Sequence, residues 1–204
     1  IEGLSIGRED PIMVSMHSDH VMADVTAFRQ AVESGIPAAA HGHLVTFGVV
    51  PEGPATGYGY VRKGGELSLK GPVDQNSPTP LELREFVEKP DLATASAYVD
   101  SGEYLWNSGI FMMRVSVLLG SLELFRDDIV SACRDAYAKA SRDGNFVRPD
   151  ATAFETCPAE SIDVAVMERA AGVLTADRTP RAAPYAGCAV VPFASGWSDV
   201  GTWS

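Results

Sequence analysis

Residues 12–50 read IMVSMHSDHVMADVTAFRQAVESGIPAAAHGHLVTFGVV, and this stretch decides the fold. Ile12-Met13-Val14-Ser15-Met16 is a short apolar run that reads as a buried parallel strand, and His17 to Met22 is the loop leaving its C-terminal end. From Val25 to Ala40 apolar residues recur at helical spacing (Val25, Phe28, Val32 and Ile36), with Asp24 as the N-cap. Leu44 to Val50 is a second buried strand. A strand, a helix and another strand within about forty residues make the βαβ unit of an α/β sheet.

The rest of the chain extends that pattern. Pro51 to Gly65 is rich in Gly and Pro and reads as a loop running into an irregular strand over Tyr58 to Arg62. Leu67 to Leu81 reads as an exposed excursion, Leu83 to Val87 as a strand stopped by Pro90, and Leu92 to Ser101 as a short helix. Tyr104 to Arg114 is apolar and aromatic around a polar Asn107-Ser108-Gly109 break. Helices are expected at Val115 to Phe125, Asp128 to Arg142, Thr152 to Thr156 and Ile162 to Ala170, the last opened by Ser161 as cap. Cys188 to Phe193 is a final strand leading into Gly196 to Ser204. Without internal repeats or low-complexity tracts, the 204 residues read as one domain, 1–204.

Composition bounds the function. An apolar fraction of 46% and a charged fraction of 21% are those of an ordinary globular protein. A net charge of −11 argues against a nucleic-acid partner, which needs a basic stripe. No apolar run has the length of a bilayer span and no signal peptide is suggested, so the expectation is a cytoplasmic protein with no membrane partner. Cys133, Cys157 and Cys188 are odd in number and widely spaced; they imply neither a disulfide framework nor a zinc site, and read as buried thiols of a reducing cytosol. Anionic ligands would have to be drawn in by local cations against the global charge.

Several short polar motifs stand out, each with a plainer role beside the chemical one. Asp19 sits just beyond the carboxyl end of the first strand, where ligands bind in open α/β sheets; it suits a hard cation, or merely caps a turn. A zinc site of His17, Asp19 and His20 is disfavoured, because neighbours in a strand-like loop point in opposite directions. Asp199 lies in Gly196-Trp197-Ser198-Asp199-Val200-Gly201, where flanking glycines permit close approach and Trp197 and Trp203 wall off water; the alternative is the N-cap of a final helix. Glu88-Lys89-Pro90 offers a carboxylate for sugar hydroxyls beside an ammonium for a phosphate, or a surface ion pair. Asn107 is an amide in an apolar segment that needs partners. Thr56-Gly57-Tyr58-Gly59-Tyr60 is a Gly-rich turn whose amides face a ligand or simply close the turn. Ser161-Ile162-Asp163 is adequately explained as a helix start.

In this order, these motifs resemble the sugar-1-phosphate nucleotidyltransferases. The similarity runs from about Asp10 to the end, and its most specific phrases are the Tyr58 turn, Phe86 to Pro90, Trp106 to Phe111, Ser161 to Glu168 and Gly196 to Trp203. The last two resemble the mannose-1-phosphate guanylyltransferase branch. The resemblance implies a Rossmann-like three-layer α/β/α nucleotide-diphospho-sugar transferase fold with a mixed, mostly parallel sheet. It implies in-line attack by a phosphate oxygen of mannose 1-phosphate on the α-phosphorus of GTP, giving GDP-mannose and pyrophosphate for polysaccharide biosynthesis. Asp19 and Asp199 would hold the catalytic Mg²⁺. Glu88, Asn107 and the Gly59 backbone would hold the sugar, Lys89 its phosphate, with Tyr58 and Asp163 also on the substrate.

That family opens with a Gly-rich turn bearing an Arg and a later Lys, and no counterpart occurs in these 204 residues. The expectation is therefore an N-terminally incomplete domain carrying the acceptor half of the site, inactive on its own and able to form homo-oligomers through an open face. The competing reading is a non-catalytic sugar-phosphate-binding or regulatory module built on the same fold.

Overall fold

The helix expected over Val25 to Ala40 is present and starts at Asp24, whose Oδ1 accepts the Ala27 N–H at 2.9 Å. A computed structural model describes residues 10–69, 77–175 and 183–200. In chain order the first half contains β1 (Ile12–Ser15), β2 (Val21–Met22), α1 (Val25–Ala40), β3 (His43–Val49), β4 (Tyr60–Glu66), β5 (Leu81–Val87), α2 (Leu92–Ser101) and β6 (Tyr104–Arg114). There follow α3 (Val115–Ala138), β7 (Ser141–Asp143), β8 (Phe146–Arg148), α4 (Ala151–Phe154), a π-helical turn (Asp163–Met167), α5 (Glu168–Thr175), β9 (Gly187–Phe193) and β10 (Trp197–Ser198).

Six strands form one sheet in the order β1-β6-β3-β9-β5-β4, and β6 also pairs with β4. The pairing therefore closes through β3, β6, β4, β5 and β9. Side chains alternate across the two central strands. Leu44, Cys188 and Val190 join a core with Val117 and Leu118 of α3 and Ala170 and Ala171 of α5. Val45, Phe47, Ala189 and Val191 join another with Ala31, Ala38 and Ala39 of α1. Helices thus cover both faces, the expected three-layer α/β/α arrangement.

The sheet is mixed, as expected, but not mostly parallel. Among the described residues only β3 and β9 pair in parallel; β6 runs antiparallel between β1 and β3, and β4 and β5 are antiparallel to each other. β1 and β3 still point the same way, both being antiparallel to β6, so the βαβ crossover spans an intervening strand. For that reason β1 is an edge strand rather than a buried one, with Val14 41% exposed.

The polar break in β6 does not interrupt the strand. Gly109, at φ +70°, absorbs it, close to the register shift against β3 between Thr46 and Gly48. The two helices expected after it are one element kinked at Arg126 (φ −149°, ψ 59°). The second ends at Ala138 instead of Arg142, because Asp143-Gly144-Asn145 turns the chain into the β7–β8 hairpin with Gly144 at φ +58°. Ser161 does not cap the following helix with its side chain; it contributes its carbonyl, which accepts from Ala165 N. Within the expected excursion, residues 70–76 lie outside the described ones, and Leu81 already belongs to β5. No helix among the described residues is long and apolar enough to cross a membrane.

Candidate active site

The carboxyl ends of β3 and β9 lie side by side, Val49 opposite Phe193. There they border a cleft of about 500 Å³ lined by Val50, Glu52, Tyr58, Trp106, Phe193 and Trp197. This is the end of an α/β sheet where ligands bind. A hollow of about 410 Å³ at the amino ends of the same strands, by His43 and Gly187, contains none of the expected site residues.

Two groups of side chains meet near the cleft. In the first, Asn107 on β6 is buried and fully oriented. Its Oδ1 accepts from Thr46 Oγ1 at 2.8 Å, its Nδ2 donates to Asp163 Oδ1 at 2.8 Å, and its backbone N–H donates to Gly59 O at 2.8 Å. Glu88, at the end of β5, turns its Oε2 toward Gly59: a Cβ at that glycine would stand 2.6 Å from Oε2 and 3.4 Å from Asn107 Cβ. Glu88 Oε2 is buried and accepts no hydrogen bond among the described residues, while Oε1 lies 3.4 Å from Lys89 Nζ. Burial chiefly, and then the charge of Asp163, push the Glu88 carboxyl above its ordinary value, against the pull of Lys89. A carboxylate so placed lacks donors, and adjacent sugar hydroxyls would supply them.

The second group holds the acids expected to bind metal. β2 and β10 pair antiparallel, with Ser198 opposite Val21. Continuing that register sets Asp199 against His20, next to Asp19. The pairing depends on Gly196, at φ +61°, where a Cβ would stand 2.8 Å from Ala23 Cβ. Asp199 Oδ1 accepts from the Tyr58 hydroxyl at 2.9 Å, and the Tyr58 ring lies edge-on to Trp106 and Trp197 at 5.0 and 5.4 Å. Trp203 and Gly201 lie outside the described residues.

One expectation about this group is overturned. The loop after β1 is not strand-like; it bends at Ser18 and Asp19. His17, Asp19 and His20 therefore converge, with ligand atoms within 4.8 Å of one another and the imidazoles stacked at 4.3 Å. Gly109 makes room for them, since a Cβ there would lie 2.6 Å from His17 Nε2. The Trp197 indole N–H donates to His20 Nδ1 at 3.2 Å, so in the neutral ring Nε2 carries the proton and neither nitrogen offers a free lone pair. Burial first and His17 second hold the His20 imidazole below its ordinary value, opposed by Asp19 and Asp199. That leaves the His17 ring nitrogen and the Asp19 carboxylate as the ligand atoms of this trio.

The structure thus gathers Gly59, Glu88, Lys89, Asn107 and Asp163 in one group and Asp19, Tyr58 and Asp199 in the other. They are contiguous through Tyr58-Gly59 and Trp106-Asn107. Asp163 is more than a helix start, since its carboxylate is spent on Asn107. One participant, Thr46, carried no signal in the sequence, since it sits inside an apolar strand. Trp106, part of the phrase running to Phe111, has a buried Nε1 without a hydrogen-bond partner among the described residues. Among those residues, the non-glycine positions with left-handed backbone are Lys89 (φ 47°) and Val200 (φ 52°), each directly after an acid of the site. Strain of this kind persists where the surroundings impose it, characteristically at binding sites.

A mixed sheet covered by helices on both faces, with carboxylates, an ammonium and oriented amides gathered at its carboxyl end, defines an α/β protein with a polar cleft at the strand ends. The nucleotidyl transferase family model matches residues 3–204, and the chain belongs to that family. It is 48% identical over 197 residues to a mannose-1-phosphate guanylyltransferase of Escherichia coli K12, covering 97% of this chain and 37% of that relative. It is 43% identical over 195 residues to the xanthan biosynthesis protein XanB of Xanthomonas campestris pv. campestris strain B100, covering 96% and 36%. The chain therefore spans little more than a third of the length of these relatives. Its fold matches a crystal structure described as mannose-6-phosphate isomerase from Helicobacter pylori, with TM-score 0.73 and 25% identity over 93% of this chain and 64% of that one. A second match, described as a mannose-1-phosphate geranyltransferase from Thermus thermophilus, has TM-score 0.68 and 28% identity over 94% and 47%.

Proposed function

We propose that this chain carries the sugar-phosphate and metal part of a guanylyltransferase site, joining mannose 1-phosphate to the guanylyl group of GTP with release of pyrophosphate. The observation that carries the reading is the buried Glu88 Oε2, without a hydrogen-bond partner among the described residues, beside Gly59 and the oriented Asn107. Glu88 and Asn107 fix the sugar by its hydroxyls, and Gly59 admits it because a side chain there would fill the space. Lys89, held on a left-handed backbone and 63% exposed, is free to swing to the phosphate of the sugar. A phosphate oxygen of mannose 1-phosphate forms the new bond to the α-phosphorus of GTP as the bond to pyrophosphate breaks. Such a displacement needs alignment and charge neutralisation rather than a protein nucleophile.

Asp19, in the bend before β2, and Asp199, just past β10, suit a hard divalent ion, and they would hold Mg²⁺. Bound there, the ion would offset the phosphate charge that a chain of net charge −11 otherwise repels. Tyr58 orients Asp199, and the Trp106 and Trp197 rings exclude water. A reaction drawing on GTP belongs in the cytoplasm.

The test is calorimetric titration of this chain with mannose 1-phosphate in Mg²⁺, alongside pyrophosphate release from GTP by the full-length protein. Saturable binding together with pyrophosphate release dependent on mannose 1-phosphate supports the reading. Binding without any turnover in the full-length protein favours a sugar-phosphate sensor, and no binding at all overturns the sugar site.

A further inference from the structure

Away from the site, Cys133 and Cys157 approach each other with sulfurs 4.0 Å apart, although 24 residues separate them in sequence. Cys133 is exposed on the second half of α3, and Cys157 is half-buried in the turn after α4. A disulfide needs its sulfurs at about 2.05 Å, so each must move by roughly 1 Å, which a small rotation about the Cα–Cβ bond supplies. The room exists: Cys133 borders a hollow of about 220 Å³ lined by Leu119, Val130, Tyr137 and Phe154. Cys188 is separate, 3% exposed in the core.

What the pair would tie together gives the contact its interest. Six residues after Cys157 the chain reaches the turn that delivers Asp163 to Asn107. Midway, Glu160 is held by Arg126 at the kink of α3 and by Arg169 at 3.6 Å. Arg126 also grips Asp128 through two bonds of 2.8 Å. The connector from α4 to Asp163 is thus anchored to α3 by the Glu160–Arg126 ion pair and to α5 through Arg169, with the two thiols at its near end.

We infer that Cys133 and Cys157 are a redox modification site, forming a reversible disulfide that staples the connector before Asp163 onto α3. The oxidant class is a small-molecule disulfide such as oxidised glutathione. One cysteine thiolate attacks a sulfur of that disulfide and releases one glutathione thiolate. The second cysteine thiolate then attacks the mixed disulfide and releases the other. Two cysteine thiols are oxidised, one disulfide is reduced to two thiols, and the protons pass to the departing glutathiones.

The test is incubation of the folded protein with oxidised glutathione, followed by thiol counting, intact mass and peptide mapping. The expected product is a monomer lighter by about 2 Da, with a Cys133–Cys157 peptide and reactive thiols reduced from three to one under denaturing conditions. Its Tm should rise by roughly 5–10 °C, and dithiothreitol should reverse both changes. Cys133→Ser and Cys157→Ser, at positions outside the core, should each fold and each abolish the product. Stable glutathione adducts, a crosslinked dimer, or three unchanged thiols would each overturn the inference.

Discussion

The Tyr58 hydroxyl donates a 2.9 Å hydrogen bond to Asp199 Oδ1 across 141 residues of sequence. It ties the Gly-rich turn before β4 to the chain just past β10, so the two groups of side chains at the cleft share one connection. Burial and this bond to a carboxylate hold the Tyr58 phenol above its ordinary value, leaving it a permanent donor.

Tyr58→Phe keeps the ring between Trp106 and Trp197 and removes the bond alone. Divalent-ion affinity, measured with Mn²⁺ by calorimetry, should fall roughly three- to tenfold with little change in Tm. An unaltered affinity would mean that Asp199 needs no orienting or does not bind the ion.

Glu88 yields a pH-dependent test. In the unfolded chain this carboxyl ionises at its ordinary value, whereas the folded protein retains the proton to higher pH. Stability therefore declines as pH rises through the interval between the two values and remains lower above it. Glu88→Gln cannot ionise, so it should melt above the parent at pH 7 and together with it at roughly pH 3.5. The same substitution should weaken mannose 1-phosphate binding on the order of ten- to a hundredfold. Stabilisation without loss of binding would separate Glu88 from the sugar.

Gly59→Ala probes space rather than backbone freedom, since Gly59 is not in the left-handed region. The added methyl must displace Glu88 Oε2 from 2.6 Å. Sugar-phosphate affinity should drop at least about tenfold while circular dichroism stays unchanged. Normal affinity would show that Glu88 and Gly59 do not form one wall.

Thr46→Val deletes a hydroxyl that is 0% exposed and donates to Asn107. Isosteric replacement leaves the buried Asn107 Oδ1 short of a donor, at a cost of about 1–3 kcal/mol, read as a Tm lower by roughly 2–10 °C. Thermal unfolding checks it; a Tm within about a degree of the parent would mean that Asn107 finds another donor.

Much of the architecture was legible in residues 12–50, because amphipathic helices carry their own signal. Asp24, Val25 and Ala40 bound α1 as the spacing predicts, and Leu92 to Ser101 is α2. Strand direction was not legible. Ile12 to Ser15 pairs with Arg114 to Phe111, a partner about a hundred residues away that no local pattern announces. The site divided in the same way. Glu88, Asn107 and Asp199 stood out because polar residues beside apolar runs need a reason. Thr46 was silent, since a lone threonine suits any strand, and its role depends on Asn107 lying opposite. His17 and His20 were misjudged because their directions were taken from strand geometry, and two bent residues reverse that argument.

The closed pairing of β3, β6, β4, β5 and β9 has a consequence for how the protein is made. β9 lies between β3 and β5, with Ala189, Val190 and Val191 fully buried, yet among these strands it is the last to leave the ribosome. Until Phe193 has emerged, β3 and β5 each present an unpaired apolar edge, and neither wall of the cleft has its partner. Vectorial synthesis thus holds the nascent chain in an adhesive state while these strands wait for β9. Closure then depends on distant pairings and should be slow. A pause or early stop before Gly187 would leave not a smaller folded protein but an aggregation-prone chain in need of a chaperone.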